Sequence, residues 1–105
     1  MSDILARIEQ QIFAKRGGNA ETSYIAALSA KGRAKIAQKL GEEATETVIA
    51  AMQGDAEELT KEAADLLFHL LMLLADGGVT LADVLGELER REGVSGIAEK
   101  AARTE

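Results

Sequence analysis

The chain has 105 residues, a net charge of −6, no cysteine, proline or tryptophan, and three tyrosine and phenylalanine residues in all. That length predicts one domain, residues 1–105, with a modest core that a partner subunit would enlarge. The acidic balance argues against a nucleic-acid groove, the missing cysteines exclude a disulfide framework and thiolate metal sites, and the missing prolines argue against a turn-rich β fold.

No apolar run reaches the roughly 20 residues of a membrane span. The opening "MSDILARIEQQIFAKR" is amphipathic and lacks the unbroken apolar segment of a signal peptide. A soluble, cytoplasmic protein without membrane or nucleic-acid partners is expected. Its negative charge does not forbid a phosphorylated ligand, because a bound cation inverts the local field.

Helical periodicity predicts a first helix over Ser2 to Arg16, with Ile4, Leu5, Ile8, Ile12 and Phe13 on one side, stopped at Gly17–Asn19. A short helix starting at Thr22 or Ser23 carries Tyr24, Ile25 and Leu28, and Gly32 breaks it. The next runs from Arg33 to Gln53. On it Ala34, Ala37, Gly41, Ala44, Val48 and Ala51 form a stripe of mostly small side chains. Glycine inside a helix costs about 1 kcal/mol against alanine, so Gly41 predicts the close approach of a neighbouring backbone. Gly54 ends this helix, and Asp55 with Glu58 forms a capping box for the next, which ends at Gly77–Gly78. Thr80 with Asp83 opens "TLADVLGELERR", and the tail after it is expected to be partly helical. Met52, Met72 and Phe13 read as core. Arg90 and Arg91 suit a helix C-terminus. The expected fold is all-α, a bundle of four to five helices around a central antiparallel hairpin, completed by dimerisation.

The acids of that hairpin carry the functional signal. Lys35, Lys39, Glu42, Glu43 and Glu46 share about a third of one helix's circumference, beside the small-residue stripe. Glu58, Glu62, Asp65, His69 and Met72 line one side of the other. That second helix is apolar nearly all round, which predicts several packing neighbours and makes Asp65 and His69 candidates for burial. Like charges three and four apart destabilise a helix mildly, so their repetition asks for a cause. Glu43 and Asp65 lie at similar distances on either side of the Gly54–Asp55 turn, so the two acidic groups come to similar heights. Two unit charges about 4 Å apart repel by about 4 kcal/mol at an effective dielectric near 20, and several such pairs would rival the stability of a small domain. Convergence therefore demands a cation, and an all-oxygen ligand set selects magnesium, or manganese, above zinc. Taken singly, each E-x-x-E is equally an ordinary exposed helix pattern, with Lys39 bridging to Glu43.

The stretch "KLGEEATETVIAAMQGDAEELTKEAADLLFHLLMLL" resembles the phosphoribosyl-ATP pyrophosphohydrolases of histidine biosynthesis, within the MazG-like all-α NTP pyrophosphohydrolases. The superfamily signature, E-x-x-E, a spacer, then E-x-x-D, falls on Glu43, Glu46, Glu62 and Asp65. "SYIAAL", "AADLLFHLL" and "SGIAEKAAR" narrow the resemblance to this family, and it spans nearly the whole chain. Phe68 departs from a tyrosine frequent in relatives. The resemblance implies magnesium-dependent hydrolysis of the α–β phosphoanhydride of phosphoribosyl-ATP to phosphoribosyl-AMP and pyrophosphate, by a homodimer. Two other functions remain open: a house-cleaning (d)NTP pyrophosphatase of the same superfamily, and a non-enzymatic helical dimerisation module.

Residue chemistry and resemblance together assign roles. Glu43, Glu46, Glu62 and Asp65 would hold the metal. Glu42, with Glu43 and Glu46 the catalytic candidates, would orient or deprotonate the attacking water. Lys35 and Lys39 would bind substrate by countering charge on the departing pyrophosphate, and Tyr24 would stack on a base or fill core. His69, one turn beyond Asp65, would orient the Asp65 carboxylate.

Overall fold

The computed structural model describes residues 3–94 and Gly96. Among these the chain forms five helices and no strand: α1 (Ile4–Lys15), α2 (Tyr24–Lys31), α3 (Arg33–Met52), α4 (Ala56–Asp76) and α5 (Leu81–Arg91). The all-α expectation holds. The tail from 97 onward, expected to be partly helical, lies outside the described residues. No single helix among the described residues is long and apolar enough to cross a membrane.

Side-chain caps fix the helix starts. Ser23 Oγ accepts from the Ala26 N–H at 3.2 Å at the head of α2. Asp55 Oδ1 accepts from the Glu58 N–H at 3.0 Å at the head of α4. The reciprocal half of the expected Asp55–Glu58 box is replaced: the Asp55 N–H donates to the Ala50 carbonyl at 3.3 Å, closing α3 instead. Thr80 and Asp83 form the full box at the head of α5. Its next N–H, on Leu81, donates to Glu9 Oε2 of α1 at 2.7 Å, which ties α5 to the first helix.

The stops of α3 and α4 share one device. Gly54 (φ +72°) and Gly78 (φ +76°) sit in the left-handed region, where a Cβ is penalised. Each lets its own N–H and the next one turn back onto the last carbonyls: Gly54 to Ala51 and Asp55 to Ala50, Gly78 to Ala75 and Val79 to Leu74. Because the first of these connections is only Gln53, Gly54 and Asp55, α3 and α4 pair as the central hairpin.

The core collects where α1, α2 and the first half of α3 meet the second half of α4: Ile12, Ile25, Leu28, Ile36, Leu71, Met72 and Ala75. Ile12, Ile36 and Met72 are the largest fully buried side chains, each stabilising the fold by about 1.5–3 kcal/mol. Two arginines fasten this end. Arg33 donates from Nε to Asp76 Oδ2 at 2.7 Å and from Nη2 to the Asp76 carbonyl at 2.9 Å. Arg16 reaches the Ala75 carbonyl at 3.1 Å. Both place cations at the negative end of α4.

Several expectations fail on which face turns inward. Phe13 (42% exposed) and Met52 (80% exposed) are not core, because α1 spends its contact on Ile12 and α3 outlasts its neighbour at the hairpin turn. Ala34, Ala37, Gly41, Val48 and Ala51 face outward. A Cβ built on Gly41 would meet nothing within 4 Å, so no neighbouring backbone among the described residues approaches it. The buried row of α3 is instead Ile36, Glu43 and Ala50, spaced by sevens, a repeat that keeps one face of a helix turned to its partner. On α4 His69 is buried as expected, but Asp65 is exposed. The helix packs against α1, α2 and α3 within this one chain.

Candidate active site

That rotation of α3 sets a carboxylate where an apolar residue belongs. Glu43 is 8% exposed and looks across the hairpin at the half-buried Glu62. One oxygen from each of Glu43, Glu62 and Asp65 lies within 4.8 Å of the others. Oε1 of Glu43 and Oε1 of Glu62 are both shielded from water and have no hydrogen-bond partner. A buried, unpartnered carboxylate oxygen costs several kcal/mol unless a proton or a cation meets it. The protein alone shows the first remedy: burial, then the carboxyls of Glu58, Glu46 and Glu43 around it, push the Glu62 carboxyl up to about 7.

The second remedy is a metal ion, and the residues fit one. Hard divalent cations take oxygen ligands at about 2.0–2.6 Å, so oxygens on opposite sides of an ion stand about 4–5 Å apart. Three oxygens within 4.8 Å satisfy that spacing, and the donor set holds no nitrogen or sulfur that would favour a softer metal.

Glu46 stands outside this group of three. It is exposed and lines a shallow cleft of about 220 Å³ with Glu58 and Glu62. The structure therefore brings three of the four expected ligands into reach of one ion and sets the fourth alongside Glu62. Glu58, read in the sequence as a capping residue on the same side as Glu62 but given no role in the site, belongs to the same acidic wall. Its spacing of four from Glu62 was the available signal.

Glu42 is not one of this group. Gln38 Nε2 donates to its Oε2 at 2.9 Å and Lys39 Nζ pairs with its Oε1 at 3.4 Å, so Lys39 bridges to Glu42 and not to Glu43. These hydrogen bonds, Gln38 first and Lys39 next, hold the Glu42 carboxyl below its ordinary value. The same bond to Glu42 holds the Lys39 ammonium above its own.

A hydrogen-bonded relay runs from α2 to the main chain at Asp65. His69 Nδ1 lies 2.8 Å from the main-chain carbonyl of Asp65. A carbonyl only accepts, so Nδ1 carries the proton. His69 Nε2 is 2.8 Å from the Tyr24 hydroxyl, which in the neutral ring donates to it. His69 thus holds the backbone at Asp65 and not, as the spacing suggested, the carboxylate. Tyr24, 52% exposed, packs edge-on to His69 with centroids 5.8 Å apart and lies 6.2 Å from Phe68. Burial raises its phenol pKa, Lys39 opposes this, and the charges of Glu43, Asp65 and Glu42 raise it further.

Tyr24, Lys35, Lys39 and Glu42 line one cleft of about 250 Å³, together with Lys31 and the apolar Ala27 and Leu28. The three expected substrate contacts are therefore neighbours. Lys31 was missed, although lysines at 31, 35 and 39 repeat every four residues; Gly32 between them reads as a break in any helical face.

A family model described as phosphoribosyl-ATP pyrophosphohydrolase matches residues 5–92. The chain belongs to that family. Relatives carry the same name in pyrophosphatase form. A phosphoribosyl-ATP pyrophosphatase of Rhizorhabdus wittichii is 65% identical over 103 residues, covering 98% of this chain and 97% of its own. One of Novosphingobium aromaticivorans is 62% identical over 102 residues, covering 97% and 95%. One of Dinoroseobacter shibae is 56% identical over 100 residues, covering 95% and 98%. Within the phosphoribosyl-ATP pyrophosphohydrolase match fall both acidic walls of the hairpin, the Tyr24–His69 relay and all three cleft lysines. The chain is thus a hydrolase by family, with a group of carboxylates able to hold a divalent cation.

Proposed function

We propose that this protein hydrolyses the α–β phosphoanhydride of phosphoribosyl-ATP, releasing phosphoribosyl-AMP and pyrophosphate as the second step of histidine biosynthesis, with magnesium (or manganese) as its cofactor. The observation that carries the reading is the facing pair of shielded, unpartnered oxygens on Glu43 and Glu62 in a chain of this family.

Glu43, Glu62 and Asp65 hold the ion, with Glu46 beside them. The ion, when bound, withdraws electron density from the phosphate oxygens and eases loss of a proton from water. Glu42, ionised at neutral pH, accepts a hydrogen bond from the attacking water and aims it. Its depressed pKa suits orientation more than proton removal. As the water oxygen bonds to phosphorus and the bridging P–O bond breaks, Lys35 and Lys39 counter the charge gathering on the leaving pyrophosphate. Tyr24, fixed by His69 and Phe68, offers a ring face at the mouth of the same cleft on which a base can stack. His69 keeps the α4 backbone at Asp65 in register with that ring.

The protein works as a homodimer in the cytoplasm. Val48, Met52, Leu85 and Leu88 are large apolar side chains left exposed by the single chain, and a second copy would cover them.

The test is turnover of phosphoribosyl-ATP beside a panel of dUTP, dCTP and altered nucleotides, with and without magnesium. Turnover of phosphoribosyl-ATP should exceed the others and vanish on chelation. Glu43→Gln and Asp65→Asn should each lower kcat/KM by more than about 100-fold, since even partners one step removed from a metal are worth 10–100-fold. Preference for a deoxynucleotide would replace this reading with the house-cleaning one. Full magnesium-independent activity in either folded variant would end both.

A further inference from the structure

The cleft beside the acids is cationic in a chain whose net charge is −6. Of the six lysines in the sequence, Lys31, Lys35 and Lys39 all line it. Two are engaged: Lys39 pairs with Glu42 at 3.4 Å, and Lys35 reaches Gln38 Oε1 at 3.5 Å. Lys31 has no hydrogen bond or ion pair from its ammonium among the described residues. A cation in the last turn of α2 is favourable for that helix, but this does not require it to share a cleft with two others. Lys31 and Lys35 also flank the Gly32 junction, where α3 begins without a side-chain cap and without an acid in its first turn. The positive end of a long helix therefore adds to the two ammonium charges.

Lys39 links this cleft to the reacting centre. It acts on the Tyr24 phenol together with Glu43 and Asp65, after Gln38 it and then Lys35 lower the Glu42 carboxyl, and Lys31 enters the cleft from the last turn of α2. The four-residue step from Lys35 to Lys39 on α3 is about 6 Å, so the flexible lysine stems must converge to meet one compact polyphosphate, and the shared cleft lets Lys31 of α2 join them. We propose that Lys31 is one of three lysine contacts for the terminal phosphates of the substrate, and so fixes affinity for the triphosphate end and for product pyrophosphate. This rests on the phosphoribosyl-ATP reading above. It adds a residue that acts by binding, on the phosphates beyond the bond that breaks.

The experiment compares wild type with Lys31→Met, which keeps the aliphatic stem, and Lys31→Arg, which keeps the charge. Lys15→Met, on α1 and away from the cleft, controls for net charge. Steady-state kinetics with phosphoribosyl-ATP and inhibition by inorganic pyrophosphate are measured at low and moderate salt, and magnesium affinity is measured separately. Lys31→Met should raise both KM and the pyrophosphate inhibition constant roughly threefold to tenfold, as for loss of one charge-assisted contact in a partly wet cleft. The turnover number and magnesium affinity should stay within about twofold, the signature of uniform binding. The effect should shrink as salt rises, and Lys31→Arg should restore most of it. If Lys31→Met leaves KM and pyrophosphate inhibition within about twofold while turnover persists, the assignment of Lys31 is wrong and the proposed reaction stands. An equal change in Lys15→Met also overturns it, as a bulk-charge effect. Failure of the wild type to turn over phosphoribosyl-ATP removes the underlying reading itself.

Discussion

Removing one hydroxyl from the Tyr24–His69 relay isolates a single buried bond. In Tyr24→Phe the ring keeps its contacts with Phe68 and His69, but His69 Nε2 loses the donor 2.8 Å away. An acceptor left unsatisfied in the interior costs about 1–3 kcal/mol. His69 is buried, yet Tyr24 is half exposed, so water can approach the vacated edge. That puts the expected loss near the lower bound, about 1 kcal/mol. For a domain of this size, about 1 kcal/mol moves Tm by about 4–8 °C. Thermal unfolding followed by circular dichroism, metal-free and at fixed protein concentration, reads the shift directly. Nitrogen NMR of His69 reads the cause: the Nδ1-protonated tautomer, held by the Asp65 carbonyl, should persist in both proteins, while the Nε2 resonance should shift in the variant as it loses its donor. Tyr24→Ala should fall further, because it also gives up the ring contacts. A Tyr24→Phe protein with unchanged Tm and an unchanged His69 Nε2 resonance would show that the hydroxyl contributes nothing.

Two further outcomes follow from the hairpin. Glu62 titrates at about 7 in the folded chain against an ordinary 4.5, so between those values the folded protein holds a proton that the unfolded chain has lost. Stability of the metal-free protein should therefore fall as pH rises through that window and stay low above it. Glu62→Gln should flatten this dependence and raise Tm at pH 8, and added magnesium should do the same for wild type only; a metal-free Tm independent of pH from 5 to 8 would contradict the shift. Gly41→Ala should stabilise the chain by about 0.5–1 kcal/mol, because a helix-interior methyl lowers backbone entropy cost and meets nothing within 4 Å. A drop in urea midpoint would instead place another chain's backbone on that face.

What the sequence made legible was local chemistry. Ser23, Asp55 and Thr80 announce helix starts, and Gly54 and Gly78 announce stops, because each acts on backbone groups within a few residues of itself. The pairing of the acidic segments was legible for the same reason, since a connection as short as Gln53–Gly54–Asp55 leaves α4 nowhere to go but back along α3. The facing of α3 was not. Periodicity fixes the angles between side chains on a helix but not which of two candidate stripes turns inward. Composition favoured the small-residue stripe through Gly41, and the fold chose the row through Glu43. Met52 and Phe13 failed likewise: an apolar residue at a helix end is core only if a neighbour reaches it. The Tyr24–His69 bond joins residues 45 positions apart, and no local rule pairs them. Lys31 lay in plain view but across a glycine that interrupts the helical face.

The misread face also explains why this site can work. In the row Ile36, Glu43, Ala50, an aliphatic side chain at the middle position would contribute about 1.5–3 kcal/mol, and the carboxylate forgoes this while shielding an unpartnered oxygen. Across the gap Glu62 does the same and keeps its proton to near neutrality as a result. Local packing rules are broken at two facing positions, while every cap and stop around them obeys those rules. Such conflicts are expected where function, not folding, sets the residue. Any species that binds the folded acids and not the unfolded chain returns stability by mass action, about 2.7 kcal/mol at a hundredfold excess over its Kd. The same oxygens would face a divalent ion on the proposed reading, and its binding would displace the Glu62 proton. Caps at each end and the arginine clamp on Ala75 and Asp76 keep α3 and α4 together, so an ion would meet the carboxylates already in position, with little further chain ordering to oppose its binding.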